Sequence, residues 1–468
     1  EVDLSSIAIT VDYIAPQTER QKVLASAIEA VLGIERVGIE DNFFDLGGDS
    51  LKAIELIAKL EQKGYHTETR TIFSCGTVRE LAERLTEAQT EETSANFTGD
   101  IPATPAQLRI YTAQSVDSSL TTYNIPYVFK TTGVDTGRLQ KAVLELIDRH
   151  ESLRTHFENR AGTITQVVED RVPFEVEQIA DGDISAFIRP FDLAKAPLLR
   201  IGCAGNTVII DMHHIITDGG SMPIFLRELN ELYMGRALDS APVQYRQFAV
   251  QKNDYTESEK YWLSVFNGEL PELELNTDYK RKEHRSFNGT ALYDSIDLPL
   301  HQKILQKCKA LNITPYVFYM GGFHILLSKF SGNEDIVVGM PISGRESGYL
   351  NTIGMFVNTI ALRSHPMGTK SVKTYLNEVK DASISAITHQ NYPYGELVKK
   401  LNANATGRNP LFDVMFAYQS EAMVQVIFGD QKAELLPTPI TTSKYDFTFN
   451  IMPMESSVVV MAEYCTDL

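Results

Sequence analysis

Val208-Ile209-Ile210-Asp211-Met212-His213-His214-Ile215-Ile216-Thr217-Asp218-Gly219 decides how most of this chain is read. Thr207–His213 is an apolar run of strand length, Leu198–Gly202 is another, and Gly205-Asn206 lies between them. Two such runs flanking a Gly-Asn pair predict a β-hairpin. Side chains alternate along a strand, so if it continues through the pair, His213 and His214 point to opposite faces. Only one then meets a given cavity, which argues against both binding one metal, and no spaced Cys or further His completes a ligand set. Asp218 stands before Gly219-Gly220, where backbone can approach a substrate closely. A lone histidine at a strand end is ordinarily structural. No G-x-S-x-G elbow or P-loop offers another chemistry.

Outward from this hairpin, helices and strands mix. Ser221–Tyr233 and Pro315–Phe330 predict helices, and Ile336–Met340 and Phe356–Leu362 predict strands. The mixture points to an α/β or α+β domain of two lobes. Toward the N-terminus, Thr86–Asp100 turns polar, which is linker composition. Ahead of it, residues 17–88 read as a small helical bundle. Thr18 and Gln21 form a capping-box pattern, and Val23, Leu24, Ala27, Ile28 and Val31 follow at helical spacing before Gly33. A second helix runs from Ser50 to Lys63 with Lys52, Glu55 and Lys59 as an outward stripe, and a third begins at Thr77-x-x-Glu80. Phe43, Phe44 and Leu46 give the loop between the first two enough apolar mass to pin it down. Ser50 opens the second helix, where most serines serve as caps.

With 468 residues, two or three domains are expected. Hydrophobic content of 43% and charged content of 22% are ordinary for a soluble globular protein. A net charge of −18 with no Lys/Arg-rich tract repels phosphate backbones and anionic lipid, so nucleic acid and membrane partners are not expected. Cys75, Cys203, Cys308 and Cys465 are far apart, without C-x-x-C, which fits a reducing cytoplasm. No basic-then-apolar leader opens the chain. Its start at Glu1-Val2-Asp3-Leu4 and stop at Cys465-Thr466-Asp467-Leu468 read as those of an excised piece.

Asp41-Asn42-Phe43-Phe44-Asp45-Leu46-Gly47-Gly48-Asp49-Ser50 resembles the phosphopantetheine attachment motif of peptidyl carrier proteins, over residues 10–88. The resemblance implies 4'-phosphopantetheine held covalently on Ser50. A hydroxyl at a helix N-terminus suits a phosphodiester, because free backbone N–H groups and the dipole favour negative charge there. The double-histidine segment matches H-H-x-x-x-D-G, shared by condensation domains, epimerization domains and chloramphenicol-acetyltransferase-like acyltransferases. Its companions favour condensation. Thr104-Pro105-Ala106-Gln107-Leu108-Arg109-Ile110-Tyr111 with Tyr123-Asn124-Ile125-Pro126 resembles the opening condensation motif, and Arg149-His150-Glu151-Ser152-Leu153-Arg154-Thr155-His156-Phe157 the second. Ile353-Gly354-Met355-Phe356-Val357-Asn358-Thr359 and Arg408-Asn409-Pro410-Leu411-Phe412-Asp413-Val414-Met415-Phe416 resemble two later ones, all in the family's order. Gln247 and Asn391 stand where the family usually has Asp.

The chain is thus similar to a nonribosomal peptide synthetase fragment. The implied architecture is a small four-helix-bundle carrier domain at 10–88, a linker at 89–100 and a two-lobed chloramphenicol-acetyltransferase-like α/β (α+β) condensation domain at 101–468. The expected lobes are 101–270 and 271–468. The resemblance implies His214 as the catalytic position, with His213 beside it. Its imidazole would either accept the attacking amine's proton or orient the amine. Gly219 is a candidate oxyanion donor through its N–H. Asp218 and Arg345 would form a structural pair at the site. Expected partners are a downstream aminoacyl carrier, a phosphopantetheinyl transferase and adjacent adenylation domains, with the fragment itself monomeric. An L-configured donor is the simpler expectation, because nothing like an epimerization domain intervenes. Epimerization of a carrier-bound aminoacyl group is the nearest alternative, followed by a non-catalytic docking domain.

Overall fold

The structure is a computed structural model that describes residues 13–44, 46, 48, 50–68, 71–72, 75, 77–87, 100–179, 184–283, 286–403, 408–419, 427–428, 431–454 and 456–468. Residues 89–99 of the expected linker lie outside these, as do Asp45, Gly47 and Asp49 and the side chain of Ser50. The chain divides into two compact units. One comprises Glu1–Thr93 with Lys307–Thr314 and Arg345–Leu350, and the other Ser94–Gln306, Pro315–Gly344 and Asn351–Leu468.

In the first unit, α1 (Glu19–Leu32) starts at the expected capping box. Thr18 accepts from the Gln21 N–H, the Gln21 side chain accepts from the Thr18 N–H, and the helix stops at Gly33 in the left-handed conformation. The second helix, α2 (Ser50–Gln62), opens at Ser50, and α3 (Val78–Glu83) is capped by the Thr77 side chain. Leu24, Ile28, Val37, Phe43, Leu56, Leu60, Val78 and Leu81 form one buried core, with Phe44 and Leu46 packed against it. Burying each such large side chain contributes roughly 1.5–3 kcal/mol, enough in sum to order so small a bundle. The loop before α2 is tight because Gly48 lies against Phe43. A Cβ there would fall 2.4 Å from the Phe43 ring.

The second unit is built on two main sheets. The first contains β1 (Asn124–Lys130), β4 (Leu199–Ala204) and β5 (Thr207–His213), while β2 (Thr155–Arg160) and β3 (Thr163–Val168) form a separate hairpin. Strand order in the first sheet is Glu434–Leu436, β1, β5, β4, Glu177–Gln178. The expected hairpin is β4–β5, with Ile201 opposite Ile210, turning at Gly205. As the central strand, β5 is buried from Val208 through His213. Helices α4 (Pro105–Val116), α5 (Thr136–Arg149) and α6 (Ser221–Tyr233) belong to the same half, and α5 packs on α6.

The second main sheet has six strands: β6 (Gly289–Asp297), β7 (Ile336–Ile342), β8 (Asn358–Ser364), β9 (Val414–Tyr418), β10 (Phe447–Pro453) and β11 (Ser457–Cys465). Their spatial order is β6-β11-β10-β9-β7-β8, antiparallel except that β9 runs parallel to both β7 and β10. Helix α7 (Pro315–Ser331) lies over the sheet through Phe323, whose ring stacks 5.1 Å from that of Phe449. Helix α8 (Val372–Thr388) packs on α7 and β8. Glu434–Leu436 comes from the later half of the chain yet pairs with β1, so the two sheets share a polypeptide crossing. Among the described residues no helix is long and apolar enough to cross a membrane.

After β7 the chain turns at Gly344, where φ is 58° and an added Cβ would sit 2.2 Å from the Phe356 carbonyl oxygen. Both facts demand glycine. Gly344→Ala is expected to lower unfolding free energy by about 2 kcal/mol or more, read as a reduced urea midpoint.

Candidate active site

Strand β5 ends at His213, and the next peptide turns away: the His214 N–H donates to the Tyr123 carbonyl at 2.8 Å. The two histidines therefore meet different surroundings. His213 is fully buried between the Phe191 and Tyr123 rings, with centroids 5.8 and 6.3 Å away. Its Nδ1 accepts from the Ile215 N–H at 3.2 Å, which leaves the ring proton on Nε2, an atom with no partner among the described residues. Burial, helped by the charges of His214, Lys444 and Arg200, pushes its pKa down to about 3. His213 shapes the turn and stays neutral.

His214 is deep in the unit yet keeps part of its surface open. Nδ1 lies 2.9 Å from the Thr217 carbonyl, an acceptor, so Nδ1 carries the proton and donates. Nε2 is left with its lone pair and no protein partner among the described residues. Burial, then the nearby Lys444 ammonium, lowers the His214 pKa to about 4. At neutral pH this imidazole is an unprotonated acceptor with one nitrogen fixed and the other available.

The loop after it is laced to the six-stranded half of the unit. Asp218 Oδ1 accepts from the Ser221 N–H at 2.9 Å and hydroxyl at 2.7 Å, while Oδ2 accepts from the Phe356 N–H at 3.0 Å. Ser221 Oγ also accepts from the Gly354 N–H at 3.1 Å and lies 2.9 Å from the Gly354 carbonyl oxygen. The other motifs converge on the same belt. Gln107 Nε2 donates to the Ile215 carbonyl at 3.0 Å, and the Ser152 hydroxyl to the Ile353 carbonyl at 2.7 Å. Tyr245 donates to the Met355 carbonyl at 2.7 Å, and its hydroxyl lies 3.2 Å from that of Thr104. A Cβ on Gly354 would come within 2.1 Å of the Tyr245 ring, so a glycine is what lets the tyrosine in. Gln247 and Asn391 both accept hydrogen bonds, from the Gln244 N–H and the Ser258 hydroxyl.

Gly219 is exposed, and the space where its Cβ would stand is open. Arg345, in the other unit, is buried and donates to the Tyr349 carbonyl at 2.8 Å. Ser50 is the first residue of α2, placing it at a helix N-terminus beside the close Gly48–Phe43 contact, which fits the attachment of a phosphodiester arm. Among the described residues no cluster of His, Cys, Asp and Glu could hold a metal ion. Sequence reasoning missed Lys444. Its Nζ stands 4.9 Å from the Tyr123 ring centroid, and burial lowers its pKa to about 8, with Glu463 opposing and Arg109 reinforcing the shift. In Thr441-Thr442-Ser443-Lys444 it reads as a surface lysine, and its only signal is its place just ahead of an apolar strand.

His213 and His324, both fully buried, are held neutral by burial, His324 near about 4. Their folded pKa values lie below the ordinary 6.5, so unfolding takes up protons below that pH. The stability they allow is complete above pH 6.5 and falls as pH drops toward 4. At pH 5 each is expected to remove roughly 2 kcal/mol, read by urea unfolding at pH 7 and 5. His324→Gln should shrink the difference.

Comparison with known proteins gives the same order of parts. The phosphopantetheine attachment site family matches residues 22–85 and the condensation domain family residues 98–468. Surfactin synthase subunit 2 of Bacillus subtilis (strain 168) is 37% identical over 489 residues, covering 99% of this chain and 14% of that protein. Tyrocidine synthase 2 of Brevibacillus parabrevis is 34% identical over 97% of this chain and 14% of its own. The chain thus spans about a seventh of the length of these curated relatives. Among solved structures, a four-domain nonribosomal peptide synthetase aligns with TM-score 0.72 at 20% identity, over 79% of this chain and 31% of that one. The condensation domain of the Monacolin K polyketide synthase MokA aligns with TM-score 0.69 at 21% identity, over 79% and 92%. These two show the fold alone. With the histidine loop, its supporting motifs and the upstream attachment site all present, the chain belongs to the condensation domain family and joins such a domain to a phosphopantetheine carrier region, as in nonribosomal peptide synthetases.

Proposed function

We propose that this chain forms amide bonds, transferring an acyl or peptidyl group from its own carrier region to the amine of a downstream aminoacyl carrier. The observation that carries the reading is His214, deep in the unit, with Nδ1 held by the Thr217 carbonyl and Nε2 open. Phosphopantetheine on Ser50, when bound, supplies the thioester whose carbonyl carbon the amine attacks. As the C–N bond forms and the C–S bond breaks, His214 Nε2 takes the amine's proton and returns it to the departing sulfur. Holding both reactants at one place supplies much of the rate, and a tethered carrier needs only weak docking because its effective concentration reaches the millimolar range. Gly219 N–H is assigned as an oxyanion donor, and Asp218 and Arg345 as structural residues. His213 shapes the loop.

On this reading the carrier occupies 10–88, the linker 89–100 and the condensation domain 101–468. A phosphopantetheinyl transferase loads it, and adenylation domains of the same cytoplasmic synthetase charge the carriers. The donor is L-configured.

Treatment with coenzyme A and a phosphopantetheinyl transferase is expected to add one pantetheine mass to the intact protein and none to Ser50→Ala. Equal gain in both sinks the assignment of Ser50. With the carrier loaded and a loaded acceptor carrier supplied, His214→Ala is expected to slow amide formation at least about 100-fold. A wild-type rate in that variant removes the imidazole from the chemistry. Deuterium exchange at Cα without a new amide would favour epimerization instead.

A further inference from the structure

We propose that the face of β1 and β5 that carries His213 holds a water-binding site: one buried water, bonded to His213 Nε2, Asp211 Oδ1 and Asn124 Oδ1, that fixes the His213 ring. The site supports the histidine loop from within and does not depend on which reaction His214 serves.

Asp211 and His213 stand two residues apart on β5, so they share a face, and the register puts Asn124 of β1 directly opposite His213. The contacts agree. Asn124 Nδ2 donates to Asp211 Oδ2 at 2.8 Å and to the Arg189 carbonyl at 3.0 Å. Arg200, opposite Asp211 on β4, donates to the Arg189 and Pro190 carbonyls at 2.6 and 2.7 Å. Its guanidinium also stands 3.6 Å from the Phe191 ring centroid, and that ring is the one packed on His213. Residues 189–191 are thereby tied across this face, and Asp211 and His213 are fully buried.

Three buried atoms on this face have no protein partner among the described residues: His213 Nε2, Asp211 Oδ1 and Asn124 Oδ1. Each has a settled role. The Ile215 N–H takes the lone pair of His213 Nδ1, so Nε2 carries the proton and donates. Asn124 spends its NH2 on Asp211 and Arg189, which leaves Oδ1 as the acceptor of that amide. Asp211 Oδ2 lies 3.4 Å from Arg200, and burial raises the carboxyl pKa only to about 6, so at neutral pH Oδ1 accepts as well. Residues two apart on a strand stand about 6.7 Å from one another, beyond one hydrogen bond and within reach of two that share an oxygen. One donor and two acceptors select the occupant. A cation is repelled by the His213 N–H and by Arg200, and an anion by the Asp211 carboxylate. Water accepts from the first atom and donates to the other two, and three partners are what a buried water ordinarily has. Unmet, these desolvated groups would oppose folding. With the water bound, both nitrogens of His213 are bonded, and the ring holds the Ile215 N–H and so the turn that presents His214.

The test uses the intact chain. In a crystal structure that resolves ordered solvent, one peak is expected within about 3.2 Å of all three atoms. No peak there, a peak that refines as an ion, or direct contact between Nε2 and Oδ1 overturns the proposal. In solution, the His213 Nε2–H is expected as a slowly exchanging NMR signal with a cross-peak to a long-lived water, and a fast-exchanging signal without that cross-peak also overturns it. Magnetic relaxation dispersion of the solvent is expected to count one long-lived water fewer in Asp211→Leu, which has no acceptor there. Asp211→Asn, which keeps an oxygen in place, is expected to hold the wild-type count. An unchanged count in a folded Asp211→Leu sinks the site, and if that variant does not fold, the crystal and the wild-type signal decide.

Discussion

Asp218 and Ser221 hold together what the site requires. One carboxylate accepts from the start of α6 and from the Phe356 backbone, and one hydroxyl bonds to Gly354, so a loop from one sheet is fastened to a loop beside the other. These are buried hydrogen bonds, one partner ionised, and removing either side would leave a desolvated group unsatisfied. His214 has a definite position because the residues four and seven places after it are anchored in this way. The loop could not hold a ring nitrogen open in solvent-poor surroundings if it were free to fray.

The neighbouring histidine makes the contrast instructive. Burial is the main reason both rings stay neutral, yet only one has a nitrogen available. His213 spends its lone pair on the Ile215 N–H and lies between two aromatic rings, while His214 spends its proton on the Thr217 carbonyl and keeps its lone pair. The same residue type, one position apart, is a turn-former in one case and an acceptor in the other. What differs is which backbone group each ring meets.

Much of the fold was legible because its signals are local. The capping box at Thr18 and Gln21, the glycine stop at Gly33, the hairpin across Gly205 and the helix Ser221–Tyr233 all stand where periodicity and turn chemistry put them. Strand ends were less legible. The strand expected at Phe356–Leu362 runs from Asn358 to Ser364, because the backbone of Phe356 is drawn off to Asp218. The pairing of Glu434–Leu436 with β1 had no local sign at all, since nearly the whole second unit lies between the partners. Lys444 was invisible for the same reason: its polar neighbours look like a surface loop, and only the folded chain brings Tyr123 beneath its ammonium.

By itself, the sequence determined which elements form, the order of the motifs and the family they belong to. Helix caps, turn residues and alternating apolar positions act over a few residues, so they survive being read one segment at a time. Only the tertiary structure decided which histidine keeps an open nitrogen, which glycines are there to admit Tyr245 or the Phe356 carbonyl, and which distant cation shares the site. The Tyr245 and Lys444 contacts join residues more than a hundred positions apart. The histidine and Gly344 contacts span only two to twelve positions, but they depend on how the folded backbone turns and on desolvation, which no local pattern of residue types spells out.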